Sequence, residues 1–275
     1  MVGLAGCAGI GLGLPIGAPA PYTETGAALD GDDLRAAHLA ELEANGAYRS
    51  SFAFVIAGDQ RSARVNRSVV VDRGANESFA HMSVAAEAIE GDGLTVATYS
   101  TGNTTYRRFV ADVGQQTVTR YDAAQAPYAD RPLAVEPVEP EEAAHADLIE
   151  PIVEDVNWSQ HGVERYDGGW VTRYEAVGAE NFSRLRGAAV DAGRVATDRG
   201  SLADYRGLEV RAVNATLLVG PDGVVRRFDI HVSGELRGQP IDLTLAGSTG
   251  ELGTAAVEAP GWLDEAKERT TSGLG

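Results

Sequence analysis

Lysine is nearly absent from this chain: Lys267 stands alone among 23 basic residues, and the other 22 are arginine. Cysteine occurs once, at Cys7, so no intrachain disulfide can form and the fold must stand on packing. No basic patch with interleaved aromatic residues occurs, which argues against a nucleic-acid partner. Gly and Pro interrupt the apolar N-terminal stretch too often for a stable membrane-spanning helix.

Recognisable catalytic patterns are also missing. The five histidines are His38, His81, His145, His161 and His231, and no two are spaced i, i+4 as a zinc-binding helix requires. There is no G-x-S-x-G nucleophile turn. The run Gly9-x-Gly11-x-Gly13 has no strand before it and no helix after it, so it is not a nucleotide fingerprint. Asp30, Asp32 and Asp33 lack the spacing and the closing Glu of a calcium loop, and suit a helix N-terminus instead. The expectation is a protein with no catalytic residue, no metal site and no cofactor.

What is abundant is negative charge. Forty Asp and Glu residues set the net charge at −17. A GC-rich genome alone would favour Arg over Lys, but the accompanying acidity points to life in high salt. There the carboxylates hold water and cations, and their repulsion is screened over a Debye length of about 3 Å at 1 M salt. Dilution into low salt is therefore expected to lower the melting temperature. Thermal scans at stepped salt concentration check this, and an unchanged or higher melting point rejects the salt adaptation.

Two features point to export. The first is Leu4-Ala5-Gly6-Cys7. Small residues before a cysteine suit the lipoprotein signal peptidase, and the thiol is the nucleophile that takes up the lipid. Six residues precede Cys7 and none is basic, so residues 1–7 are expected to be a truncated signal ending in a lipobox. An alternative takes residues 1–20 as the signal, with Ala18-Pro19-Ala20 as its cleavage site. The second feature is a set of sequons. Of seven asparagines, six begin N-x-S/T: Asn66, Asn76, Asn103, Asn157, Asn181 and Asn214. Ser and Thr make up about 11% of the chain, so chance would place about one. All six are candidate glycosylation sites, which presuppose an extracytoplasmic location.

The chain then divides by pattern. Residues 8–29, rich in Gly, Pro and Ala, read as a flexible tether, residues 30–266 as one domain, and residues 267–275 as a disordered tail. Within the domain, residues 30–46 read as a helix capped by Asp32 or Asp33, with Leu34, Ala37, His38 and Leu42 on one face. From Gly46 the period changes to two. Phe52, Phe54 and Ile56 share a side, as do Val65, Val69 and Val71, and later Val213, Ala215, Leu217 and Val219. Val224, Phe228, Ile230 and Val232 alternate with Val225, Arg227, Asp229 and His231. Residues 141–156 look helical, with Pro151 expected to kink or divide them. One apolar face per strand and short hairpins predict an α+β fold, an antiparallel sheet with helices over its apolar side.

The lipobox, the tether, the Gly102-Asn103-Thr104-Thr105-Tyr106 hairpin, and the segments VERYDGGWVTRYEAVG, GPDGVVRRFDIHV and VEAPGWLDEA together resemble a family of haloarchaeal surface lipoproteins of uncharacterised function. In architecture that family is similar to the LolA and LprG/LppX type of lipoprotein carrier. The resemblance spans most of residues 26–265. It implies a curved antiparallel half-barrel with helices covering the concave face. It also implies a lipoprotein held on the outer face of the membrane, with an apolar, lipid-like ligand between sheet and helices. The alternative is a non-catalytic structural or interaction glycoprotein of the cell surface with no cavity.

Overall fold

The computed structural model describes residues 22, 29–59, 61–86, 93–113, 116–125, 138, 140–178 and 208–270. Cys7 and Asn181 lie outside the described residues. The first helix, α1 (Gly31–Asn45), is capped by Asp30, whose Oδ1 accepts the Asp33 backbone N–H at 2.9 Å. The sequence pattern placed the cap at Asp32 or Asp33. Those two instead fill the first turn, where their charge favours the helix dipole. Gly46 ends the helix at φ 70, a left-handed geometry that costs glycine nothing, and its N–H returns to the Leu42 carbonyl.

Six strands follow as consecutive hairpins: β1 (Ala47–Gly58), β2 (Arg61–Asp72), β3 (Glu77–Ala86), β4 (Gly93–Thr101), β5 (Thr104–Val113) and β6 (Gln116–Gln125). The chain then carries α2 (Pro140–Ala143) and α3 (Ala146–Glu154). Five more strands complete the sheet: β7 (Ser159–Tyr166), β8 (Gly169–Gly178), β9 (Leu208–Val219), β10 (Val225–Leu236) and β11 (Gln239–Gly250). A last helix, α4, spans Leu263–Thr270.

All eleven strands form one antiparallel sheet in the order β6-β5-β4-β3-β2-β1-β11-β10-β9-β8-β7. Two up-and-down meanders are thus zipped together along β1 and β11, with Phe54 opposite Leu245. The sheet is open and curved, with β6 and β7 as its edges, and the fold is α+β. Since β6 and β7 sit at opposite edges, the link between them has to cross the sheet. That crossing lays α2 and α3 over its apolar face.

The register sorts side chains onto two faces. On the inner face, under α1 and α3, lie Phe52, Phe54, Ile56, Leu217, Ile230, Leu243 and Leu245, all buried. Leu148, Ile149, Ile152 and Val153 of α3 meet them, at the roughly 3.6-residue spacing of an amphipathic helix. Pro151 lies inside α3 without dividing it; the break falls earlier, at Ala144 and His145 between α2 and α3. Gly247 has a packing reason: a Cβ there would meet the Phe228 ring at 2.4 Å, so the ring lies over the glycine facing it. Val225 is buried, against the strict alternation expected of β10, because the register with β9 shifts between Val225 and Arg227.

Both ends of the domain extend further than the composition suggested. Tyr22, assigned to the tether, is only 6% exposed, and its carbonyl accepts the Thr172 hydroxyl at 2.6 Å. Its ring fills the space beside Gly223. At the other end α4 continues to Thr270, past residue 266, because it packs on the outer face of β5 and β6. There Leu263 and Ala266 are buried, Glu265 accepts the Tyr121 hydroxyl, and the Arg269 guanidinium lies 5.3 Å from the Tyr121 ring centre.

Candidate functional site

Three places in the fold carry polar or exposed groups that packing alone does not explain. The first is buried under the helices. His38 of α1 accepts the Val225 N–H through Nδ1 at 3.2 Å, so its Nε2 carries the proton and donates to the Ala144 carbonyl at 3.2 Å. This neutral imidazole ties α1, the α2–α3 turn and β10 together. Burial pushes its pKa down to about 4, partly offset by the Ala144 bond. His145, in the left-handed region at φ 53, packs 5.4 Å from the Phe52 ring, and its buried Nε2 has no hydrogen-bond partner among the described residues. Burial, and then the charge of Arg67, push its pKa down to about 3. Arg67 comes from the inner face of β2 and is paired with Glu142 of α2 at 2.8 Å. Desolvation lowers the Arg67 pKa against the pull of that carboxylate. His38, Arg67 and Glu142 are satisfied structural groups.

The second place is the inner wall of β3 to β6. Its rungs follow from the register. One runs Val84, Leu94, Ala111, Val118, and the next Met82, Val96, Phe109, Arg120. A third runs Ala80, Thr98, Arg107, Asp122. Inner side chains along the middle of β1 and β9–β11 are buried, whereas Leu94, Val96, Met82 and Phe109 are only partly so, and Val118 is 48% exposed. The helices therefore fill one side of the trough more completely than the other. Arg107 stands beside the apolar rungs, its buried Nε lacking a hydrogen-bond partner among the described residues.

The third place is a groove of about 440 Å³ on the outer face, opposite the helices. Two rungs floor it: Arg227, Ser248, Ser51, Ser68, His81, and Asp229, Ala246, Ala53, Asn66. Tyr166 at the end of β7 also lines it. Sequence reading missed this site, because the residues that form it are unremarkable until five strands are aligned.

The sequons fall on the surface in different ways. Asn214 is exposed on the outer face of β9, Asn76 and Asn103 are exposed in the β2–β3 and β4–β5 turns, and Asn157 is exposed between α3 and β7. Asn76 adopts φ 55, a left-handed turn geometry asparagine tolerates better than most residues. Asn66 is half-buried and lines the groove. His231 sits on the outer face within 3.4 Å of the Thr244 hydroxyl. Among the described residues, no three His, Cys, Asp or Glu side chains are grouped to hold a metal ion, and no helix is long and apolar enough to cross a membrane.

A family model described as a family of unknown function (DUF7537) matches residues 1–266, and the chain belongs to that family. No curated protein matches it. Among solved structures it is similar to LprF from Mycobacterium bovis, at 13% identity over 83% of this chain and 96% of that one, with a TM-score of 0.33. The lipoprotein LppX of Mycobacterium tuberculosis matches at 12% identity over 83% and 99%, also with a TM-score of 0.33. A LolA superfamily protein from Nitrosomonas europaea matches at 10% identity over 85% and 96%, with a TM-score of 0.23.

Proposed function

We propose that this member of the family is an extracytoplasmic lipoprotein, anchored to the outer face of the membrane by a lipid on Cys7, that holds an apolar, lipid-like ligand and catalyses no reaction. The observation that carries the binding role is the inner wall of β3 to β6. Met82, Leu94, Val96, Phe109 and Val118 share one face and stay partly exposed. Leaving apolar surface in water forfeits about 25 cal/mol per Å², and a contiguous patch of this kind usually marks a binding surface. Arg107, one rung away with its Nε unpartnered among the described residues, suits the anionic end of an amphiphile.

The test is native mass spectrometry of the protein extracted from its membrane. The expected result is a lipid adduct on Cys7 and a co-purified apolar ligand that is lost in Phe109→Asp with the melting point retained. Cys7→Ser, expressed behind a complete signal peptide, should release the domain from the membrane. Recovery with no ligand under gentle extraction rejects the carrier reading, and membrane retention of Cys7→Ser rejects the anchor.

The exposed positions of Asn76, Asn103, Asn157 and Asn214 favour a second reading, a surface glycoprotein of structural or interaction role. Glycans on these sites in a ligand-free protein would select it.

A further inference from the structure

The outer groove lies on the opposite face of the sheet from the wall assigned to the apolar ligand, so what it binds is independent of that assignment. Its shape comes from residue size. Ser51, Ser248, Ala53 and Ala246, on the central strands β1 and β11, leave a shallow floor. Arg227 and Asp229 of β10 form one side, and Asn66 and His81 of β2 and β3 form the other. Phe52, Arg67 and Gly247 also border the groove, but the register puts their side-chain positions on the inner face. The β7–β8 turn, with Asp167 at φ 48 and Gly168 at φ 78, brings Tyr166 to the groove. Asp167 reaches as far as Gly250 of β11, where an added Cβ would meet its Oδ2 at 3.4 Å.

The chemistry of the lining narrows the ligand. The ionic groups are engaged with each other: the Arg227 Nε and Nη2 both donate to the Asp229 carboxylate, the second at 3.2 Å. A groove with internally paired charges offers an ion little net attraction. Its floor of serine and alanine offers no wide apolar contact to a lipid tail. What remains is a close array of hydroxyl, amide, guanidinium and carboxylate groups, donors and acceptors side by side, with the Ser51 and Ser248 hydroxyls 2.8 Å apart. Paired planar groups such as Arg227 with Asp229 suit vicinal hydroxyls, and a tyrosine ring suits the C–H face of a sugar. The volume of about 440 Å³ falls in the size range of ligand clefts.

From this geometry we propose that the outer groove is a binding site for a neutral saccharide. Asn66 is both a wall of the groove and a sequon, so the sugar has two candidate sources: the glycan carried on Asn66 itself, or a glycan from outside the molecule.

Saturation-transfer NMR on the full chain, produced without glycosylation, tests the site. The probes are glucose, galactose, mannose, N-acetylglucosamine and their disaccharides. The expected result is transfer to at least one of them, weakened tenfold or more by Ala53→Phe, which fills the floor. The uncharged double variant Arg227→Gln/Asp229→Asn should weaken it comparably without adding bulk, and thermal scans check that both variants are folded. Repeating the titration on natively glycosylated protein separates the sources. Loss of binding there, restored once the native N-glycans are cleaved off, assigns the groove to the protein's own glycan; retained binding assigns it to an external one. The proposal is overturned if no probe gives transfer, if both folded variants bind as the parent does, or if inorganic phosphate or acetate displaces the sugar at equal concentration.

Discussion

Acidification from pH 6.5 to pH 4 is expected to remove several kcal/mol of folding stability, and His38 and His145 are the cause. Their folded pKa values lie at about 4 and about 3, against 6.5 for an unperturbed imidazole. A depressed value means that the fold holds the neutral ring. The stabilisation is therefore complete above the unfolded pKa. It is lost as pH falls through 6.5 towards the folded values, because the unfolded chain takes up protons that the folded chain refuses. Each tenfold loss of proton affinity on folding is worth about 1.4 kcal/mol, so the two rings together place on the order of 8 kcal/mol at stake, of which roughly 5 kcal/mol is lost by pH 4. That is comparable with the whole stability of many domains. One effect opposes it: acid also neutralises carboxylates and relieves the repulsion of a chain at −17. In molar salt that repulsion is already screened, so urea titrations in molar salt isolate the histidines. There the unfolding free energy should drop steeply between pH 6.5 and 4. His38→Gln and His145→Asn are chosen because each stays neutral, and asparagine tolerates the left-handed backbone at residue 145. The double variant should be less stable at pH 7 yet nearly flat with pH. An equally steep slope in that variant would exclude the two rings as the source.

The same region shows what the sequence could reveal. The strands β1 and β9 were legible because apolar residues recur at every second position through Phe52, Phe54 and Ile56 and through Val213, Ala215, Leu217 and Val219, and a period of two has one geometric meaning. The α1 face of Leu34, His38 and Leu42 was legible for the analogous helical reason. Arg67 was not. It lies between Val65 and Val69 on their own face of β2, but its partner Glu142 is far along the chain, so nothing local announces why a charge belongs there. His145 was equally silent: only the folded α2–α3 turn sets it against Phe52. Tyr22 sits in a segment whose composition is that of a linker, and its anchor, Thr172, is on β8. The outer groove depended most on long-range structure. Ser51, Ser68 and Ser248 are ordinary solvent-side residues until the β1–β11 pairing, formed across nearly the whole domain, puts them in one rung. Sequence periodicity reports which face a residue takes; it does not report the neighbours that register supplies on that face.

The Arg67–Glu142 pair should respond asymmetrically to mutation. The Arg67 side chain is 15% exposed and that of Glu142 is 41% exposed, so folding desolvates the two to very different extents. Removing the carboxylate with Glu142→Ala leaves a mostly buried guanidinium without its partner. Fully buried pairs lose about 3–5 kcal/mol this way, and half-exposure of Glu142 brings the expected loss to about 2 kcal/mol. Removing the cation is a different experiment. Arg67→Met places an unbranched apolar side chain between Phe52 and Met82 on the same rung, and it leaves Glu142 free to turn to water. The expected change at pH 7 is within about 1 kcal/mol of neutral. The double variant should then resemble Arg67→Met, since Glu142 has no buried charge left to satisfy. Arg67 also links this pair to the acid response, because its charge is one of the forces holding the His145 pKa down. Without it the ring protonates at higher pH within the fold, so Arg67→Met should be less acid-sensitive than the parent. Equal losses from Glu142→Ala and Arg67→Met at pH 7 would mean that the interaction is a surface salt bridge. A pH profile unchanged by Arg67→Met would show that its charge is not felt at His145.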